Sequence, residues 1–191
     1  MEEAFLIVGL GNPGKDYAAT RHNVGFMALD RLAKRLGIEW EASKKFPSRL
    51  AKGRQDGNTV FLSKPQGYMN LSGQSVAPLA QYYQIPSGRV MVVVDDLDLP
   101  LGAVRMRPGG GTGGHRGLDS IQGLLGKDDF PRLRLGIGRP ESNRDVSSFV
   151  LGKFAEAETE LLEKVLETAA DQLTCWMLQG IGQAMNNYNG D

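Results

Sequence analysis

Histidine and aspartate residues lie where an α/β protein could combine them for acid–base chemistry. The chain contains two histidines, of which His22 follows a glycine-rich loop and precedes a helical pattern. Asp95 lies at the end of an apolar run, and the carboxyl end of a parallel strand commonly faces a ligand crevice. A carboxylate there could fix the tautomer of an imidazole, leaving its other nitrogen to take a proton from water. We therefore expect His22 to be a general base oriented by Asp95.

Asn12, in the loop after the first predicted strand, belongs to the same region. Its amide can both donate and accept hydrogen bonds, which suits contact with a carbonyl group, although an asparagine can also merely stabilise its own turn. Ser72 and Ser120 do not lie in a G-x-S-x-G elbow and are typical of helix-entry or helix-face positions. The sequence therefore favours water activated by histidine as the nucleophile and an activated carbonyl compound as its target.

Two other chemistries compete for these residues. The segment GLGNPG at 9–14 matches G-x-G-x-x-G after a strand, a pattern typical of dinucleotide binding. Pro13 removes a backbone donor, however, and the next helical pattern begins too late to include the third glycine. A metal site at Asp95, Asp96 and Asp98 would lack H-x-E or C-x-x-C partners. The sequence thus predicts neither a metal nor a cofactor.

The elements that would position these residues alternate between strands and helices. Runs rich in β-branched and apolar residues predict strands at 5–9, 59–63, 90–95, 103–107 and 133–138. Helical periodicity predicts helices at 23–36, 72–84, 116–125 and 157–179. We expect an α/β fold with a twisted, mixed, mostly parallel sheet and helices on both faces. The runs at 90–95 and 103–107 could be antiparallel neighbours, and the glycine-rich segment 108–117 is predicted to be a mobile loop.

Composition predicts one domain spanning 1–191. The 191 residues are 41% hydrophobic and 23% charged, an ordinary mixture for a globular protein, and no repeat or long linker is visible. The apolar runs are shorter than the roughly 20 residues that cross a bilayer, and the acidic start is unlike a secretion signal, which predicts a cytoplasmic location. Cys175 is the single cysteine, which excludes an internal disulfide. Because the net charge is zero, attraction to nucleic acid would require local clusters of Lys and Arg.

Four sequence blocks, in order, together resemble the bacterial peptidyl-tRNA hydrolase family. The blocks are GLGNPGKDYAATRHNVGF, KPQGYMNLSGQSV, DDLDLPLGAVRMRPGGGTGGHRGLDSI and FPRLRLGIGRP, and FVLGKF at 149–154 extends the likeness. The resemblance implies hydrolysis of the ester between the C-terminal carboxyl of a peptide and the terminal ribose of tRNA. It implies no cofactor, no membrane, no obligate protein partner and a monomer, with peptidyl-tRNA as the partner molecule.

The resemblance also implies roles for individual residues. His22 matches the catalytic base of the family and Asp95 the aspartate that orients it. Asn12 and Asn70 match the asparagines that hold the peptide and the attacked carbonyl. The expected pocket lining further includes Tyr17, Tyr68 and Met69.

Basic residues match a site for the 5′ phosphate of tRNA. Arg107 and Arg134 stand at the positions of the family's phosphate clamp, and guanidinium forks bind phosphate with two parallel hydrogen bonds. Most arginines and lysines are simply solvated, so each is also compatible with an exposed sheet edge. The residues that could extend this basic surface are Arg105, Arg132, Arg139, Lys44, Lys45, Arg49 and Lys52.

One departure from the family pattern lies in GGHRG, where Arg116 replaces the usual asparagine. Arginine only donates hydrogen bonds and is always charged, so it cannot copy an amide. We expect Arg116 to contact a substrate carbonyl or an RNA phosphate. His115, on the glycine-rich segment, is expected to belong to the gate of the site rather than to act as the base, because a glycine-rich loop should hold it poorly.

Two rival functions remain at this point. A non-catalytic RNA-binding relative, acting as a splicing partner, would need none of Asn12, His22, Asn70 or Asp95, and would expose an apolar patch for a protein partner. A nucleotide-dependent oxidoreductase would bind NAD(P) tightly. Retention of all four polar residues favours the hydrolase.

Overall fold

The computed structural model describes residues 2–141 and 145–190. The strands are β1 (Ala4–Gly9), β2 (Glu41–Ala42), β3 (Ser48–Gln55), β4 (Asn58–Pro65), β5 (Val90–Asp96), β6 (Val104–Arg107) and β7 (Arg132–Gly136). The helices are α1 (Val24–Leu36), α2 (Ser72–Tyr82), α3 (Arg116–Leu125), α4 (Val146–Val150), α5 (Thr159–Gln179) and α6 (Ile181–Tyr188). Within the described residues, no helix is both long and apolar enough to span a membrane.

Alternation along the central strands separates two hydrophobic cores. In β1, Ile7 points to the core beneath α1 and α5, whereas Leu6 and Val8 point to the core beneath α2 and α3. Both faces of the sheet are therefore covered, which explains why β1 and β5 are almost continuously apolar.

The strand order β2-β3-β4-β1-β5-β7-β6 places β1 at a topological switch point. The chain leaves β1 toward β4 on one side and later returns to add β5 on the other, with both strands parallel to β1. At such a point the connections after neighbouring strands diverge and open a crevice at their carboxyl ends. The loops after β1, β4 and β5 therefore meet at one edge.

Close packing of α1 onto this edge depends on two glycines. A Cβ atom at Gly9 would lie 2.4 Å from the carbonyl oxygen of Gly25, and one at Gly25 would lie 2.4 Å from that of Val93. Both neighbours are backbone atoms and cannot move aside cheaply. The two glycines thus let the start of α1 approach the ends of β1 and β5. This approach brings His22, two residues before α1, close to the sheet.

The α/β class, with a mixed sheet and helices on both faces, is confirmed, but the sheet is not mostly parallel, since three of the six strand pairings in the described residues are antiparallel. Three further details differ from the prediction. The segment around 103–107 does not pair with β5: β6 pairs antiparallel with β7, which lies between them. Strand β3 was not predicted, because its sequence is charged and lacks a clear apolar face. It forms a hairpin with β4 that turns at Asp56 and Gly57, both with positive φ. The C-terminal helix does end before Gly180, but α6 follows it.

Candidate active site

Asp95 is the centre of the polar cluster at the switch point. Its side chain is almost fully buried at the end of β5, and its two carboxylate oxygens each contact a histidine. Oδ2 lies 2.8 Å from Nδ1 of His22, and Oδ1 lies 2.8 Å from Nε2 of His115. Burial raises the pKa of the Asp95 carboxyl, but the hydrogen bonds and charges of His115 and His22 outweigh it and lower the pKa to about 2. Asp95 is therefore ionised at neutral pH and accepts from both rings.

His115 is firmly held, so the expectation that the glycine-rich segment positions it poorly is wrong, whereas its place at the gate of the site stays a prediction. It is the N-cap of α3, where its Nδ1 accepts from the backbone N–H groups of Gly117 at 3.1 Å and Leu118 at 3.4 Å. An imidazole nitrogen that accepts carries no proton, so the proton of neutral His115 lies on Nε2 and points to Asp95. The neighbouring glycines predicted poor positioning, whereas the cap at the start of α3 holds the ring.

His22 has the complementary tautomer. It occupies a 3₁₀ turn, Arg21–Asn23, directly before α1, and its side chain is 15% exposed. Because Asp95 only accepts, Nδ1 of His22 must donate to it, which leaves the lone pair on Nε2. This ring lines the pocket, and its free nitrogen has the character of a general base.

Two neighbours hold Asn12, one through its backbone and the other through its side-chain amide. The side chain of Asn23 donates to the backbone carbonyl of Asn12 at 2.9 Å and accepts from its N–H at 2.8 Å. The side-chain oxygen of Asn12 accepts from the backbone N–H of Met69 at 2.9 Å. The Nδ2 group of Asn12 is thereby left as a donor at the pocket wall, next to His22. Asn23 was not anticipated; its only sequence signal is its position directly after His22.

These groups border an open pocket of about 530 Å³. Most of the predicted substrate residues line it, namely Asn12, His22, Tyr68, Met69, Asn70, Asp95, His115, Arg116 and Arg134. Tyr17 is not part of the wall but packs edge-on against the ring of Tyr68, with centroids 6.4 Å apart. Another part of the wall is formed by α4 and the adjoining Leu151, a surface that the sequence did not suggest.

The predicted basic residues divide into several environments. Cross-strand pairing of Arg107 with Arg132 and of Arg105 with Arg134 puts these four side chains on one face of the sheet. Arg107 is exposed on the edge strand outside the pocket lining, and Arg134 lies 3.7 Å from Asp96 within it.

Arg132 does not extend the basic surface, contrary to expectation. It is fully buried and donates to the carbonyls of Gly110, Gly111 and Asp128, because the glycine-rich segment folds over it. Arg132 therefore anchors the segment at Gly110 and Gly111. The prediction of a mobile loop did not include this anchor.

Arg116 differs from the other cations of the pocket. Arg139 pairs with Asp98 and Arg134 with Asp96. For Arg116, no hydrogen bond or ion pair is present among residues 2–141 and 145–190. Its charge is thus available to a bound molecule.

His22, Asp95 and His115 could in principle ligate a metal, since their donor atoms lie within 4.8 Å of one another. The 2.8 Å N–O distances are hydrogen-bond lengths, whereas ligands of one tetrahedral zinc would be about 3.3 Å apart. A metal on Nε2 of His115 would also force a proton onto Nδ1, against the N–H groups of Gly117 and Leu118. The cluster therefore has the geometry of hydrogen bonds and does not fit a metal.

Comparison with known proteins gives consistent matches over nearly the whole chain. A family model described as peptidyl-tRNA hydrolase matches residues 6–191. A peptidyl-tRNA hydrolase of Synechococcus sp. is 50% identical over 96% of this chain and 82% of its own length. One of Mycobacterium avium is 46% identical over 99% of both chains. The crystal structure of peptidyl-tRNA hydrolase from Acinetobacter baumannii superposes with a TM-score of 0.93 at 41% identity, covering 100% of this chain and 96% of that one.

Proposed function

The chain belongs to the peptidyl-tRNA hydrolase family, and we propose that His22 is the general base of its reaction, with Asp95 as the orienting carboxylate and Asn12 as the oxyanion donor. The protein hydrolyses peptidyl-tRNA, and the alternative of a non-catalytic splicing partner has no support among its relatives. The observation that carries the assignment is the 2.8 Å contact from Nδ1 of His22 to Asp95, which leaves Nε2 free in the pocket.

The geometry supports a two-stage hydrolysis. Nε2 of His22 takes a proton from water as the water oxygen bonds to the ester carbonyl carbon, and the carbonyl electron pair moves to oxygen. Asn12 Nδ2 donates to this oxyanion, while ionised Asp95 stabilises the imidazolium. When the oxyanion collapses, the bond to the ribose oxygen breaks and His22 returns the proton to that oxygen. The products are the peptide acid and tRNA.

The Asn12 donor is tested by replacing it with aspartate or alanine. Aspartate can still accept from the backbone N–H of Met69 but offers no N–H to the oxyanion, so we expect Asn12→Asp and Asn12→Ala to lower kcat by about 10²–10³. Release of N-acyl-amino acid from N-acyl-aminoacyl-tRNA measures the loss. Asn186→Asp, at an exposed amide of α6, is the matched control and should leave kcat unchanged. An Asn12→Asp enzyme with kcat within threefold of the parent would contradict the assignment.

We place the peptide and the tRNA of the substrate at different parts of the site. Asn70, Tyr68 and Met69 would hold the peptide, with Tyr17 supporting the Tyr68 ring. Arg134 and Arg107, which leave the same face of the sheet, would hold the 5′ phosphate of tRNA. His115 would keep the second oxygen of Asp95 occupied and so help fix the tautomer of His22.

Arg116 is proposed to contact an RNA phosphate, because its guanidinium faces the pocket without an acidic partner in the described residues. Arg116→Asn should raise KM for peptidyl-tRNA about fivefold, equivalent to about 1 kcal/mol for one exposed ionic contact. Losing one phosphate contact should also reduce the slope of log KM against log salt by about 0.7–0.9. KM is measured over a salt series beside Arg54→Asn, at an exposed arginine paired with Glu2. If Arg116→Asn leaves both KM and slope unaltered, no such contact exists.

The wider setting follows from the same substrate. We propose that residues 1–191 act as one domain and as a monomer, without an obligate protein partner. We further propose that the enzyme works in the cytoplasm, because peptidyl-tRNA is a product of translation.

A further inference from the structure

Three consecutive residues of the 3₁₀ turn each hold a different wall of the pocket. His22 contacts Asp95 at the end of β5, and Asn23 brackets the backbone of Asn12 in the loop after β1. Arg21 reaches in a third direction, toward the segment that carries α4. The first two contacts belong to the reaction described above, and the third has no part in it.

The Arg21 guanidinium is enclosed by that segment. Its carbon lies 4.4 Å from the ring centroid of Phe149 and 5.7 Å from that of Phe154. Nη1 donates to the carbonyl of Phe149 at 3.4 Å, and Nη2 pairs with Glu158 at 3.2 Å. The side chain is 14% exposed, so these contacts are screened less than those of a surface ion pair.

Backbone contacts join the same two segments. The N–H of Arg21 donates to the carbonyl of Gly152 at 2.9 Å, and Thr20 forms an antiparallel bridge with Lys153. A Cβ atom at Gly152 would lie 3.0 Å from Nη1 of Arg21. Gly152 therefore leaves space for the guanidinium to reach the carbonyl of Phe149.

The segment so attached is also part of the pocket wall. Four of its residues, Val146, Ser147, Val150 and Leu151, line the same cavity as His22 and Asp95. The turn that carries His22 is thus held to this wall through Arg21, and the His22 ring is held by Asp95. A substrate that presses on α4 acts on Arg21, and through it on the adjacent His22.

We propose that Arg21 is a positioning residue that couples the α4 wall of the pocket to the imidazole of His22. The inference rests on the proposed role of His22 as the base. Asp95 holds the ring at one nitrogen and Asn23 holds the turn to the loop after β1, and Arg21 supplies the third point of attachment, toward α4. A displacement of about 1 Å at a reacting group can cost up to 10²-fold in rate, so a loosened turn lowers kcat without removing a catalytic group.

The test replaces Arg21 with methionine, which retains an unbranched apolar stem but neither the charge nor the fork. We expect kcat for peptidyl-tRNA to fall about tenfold while KM stays within about threefold. Because the chain has two histidines, imidazole ¹⁵N spectra resolve each ring. The His22 resonances should broaden or shift by clearly more than those of His115, which shares Asp95 with His22 but is held by its own cap at the start of α3.

Two further variants keep the test decisive. Arg31→Met removes another arginine that links the N-terminal half to α5, through Glu163 and Glu167, and should leave kcat and both histidine spectra unchanged. Gly152→Ala crowds Nη1 without removing the guanidinium and should give a smaller loss of kcat. In the Arg21→Met background, Gly152→Ala should have little additional effect, since the two act on one contact. If Arg21→Met does not fold, Gly152→Ala alone must shift His22 and lower kcat.

The outcomes separate this inference from the function on which it rests. The coupling would be overturned if Arg21→Met left both kcat and the His22 resonances unchanged. It would also be overturned if the resonances of both histidines shifted equally and the melting temperature fell, because that result indicates a purely structural role. A His22→Ala enzyme that retains activity would instead overturn the assignment of the base. In that case the spectra of Arg21→Met would still report whether the His22 ring has moved.

Discussion

Replacing His22 with alanine is expected to lower kcat for peptidyl-tRNA by about 10²–10⁴, the usual contribution of a general base. The substitution removes the lone pair at Nε2 that we propose takes the proton from water. It leaves Asn12, Arg107 and Arg134 in place, since none of them is held by the imidazole of His22. Single-turnover hydrolysis of N-acyl-aminoacyl-tRNA measures the loss, and a filter-binding assay should give a Kd for tRNA within about twofold of the parent.

A chemical rescue separates the base role from a structural one. The alanine leaves a cavity beside Asp95 that is open to the pocket, where added imidazole could occupy the place of the ring. We expect imidazole to restore part of the activity of His22→Ala and to have no effect on the parent. Near-normal hydrolysis by the purified His22→Ala protein, free of wild-type enzyme, would refute the assignment of His22.

Asp95→Asn is expected to have an effect of similar or greater size although it hardly changes shape. His115 must keep its proton on Nε2, because its Nδ1 accepts the backbone N–H groups at the start of α3. The oxygen of the introduced amide would therefore face His115, and the NH₂ group of that amide would face Nδ1 of His22. Nδ1 must then accept, which moves the His22 proton to Nε2 and blocks the base. The equivalent change in a Ser-His-Asp triad lowers kcat by about 10⁴, and we expect about 10³–10⁴ here.

The tautomer itself is measurable. In the parent, imidazole ¹⁵N spectra should place the proton of His22 on Nδ1 and that of His115 on Nε2. In Asp95→Asn, His22 should change to the Nε2–H form while His115 remains the same. Asp30→Asn, at an exposed carboxylate paired with Lys64, is the control and should alter neither spectrum nor kcat. An Asp95→Asn enzyme with kcat within tenfold of the parent would show that the carboxylate does not select the tautomer.

Much of the fold could be predicted because its signals are local. The apolar stripe of α1 and the continuous apolar runs of β1 and β5 identify buried elements within short windows of sequence. The rule that carboxyl ends of parallel strands share a crevice was enough to expect Asn12 and Asp95 near each other. Strand β3 escaped because most of its side chains are at least partly exposed, so its sequence lacks a clear apolar face.

The candidate site could be predicted only in outline. His115 looked loosely held because its neighbours are glycines, yet its ring caps α3 and contacts Asp95. Arg132 looked exposed because arginine usually is, yet it is buried beneath carbonyls of the glycine-rich segment. In each case backbone groups are among the partners, and residue identity does not reveal where a backbone group will lie.

The sequence by itself determined the central strands and the main helices, which residue types could move a proton, and the family to which the chain belongs. These properties depend on residue identity and on spacing along the chain. Only the tertiary structure decided that Asp95 contacts two histidines, that Asn23 holds the backbone of Asn12, and that Arg21 attaches the turn carrying His22 to α4. Such contacts join residues far apart in the chain, and their hydrogen-bond directions depend on where the sheet and helices bring the donors and acceptors together.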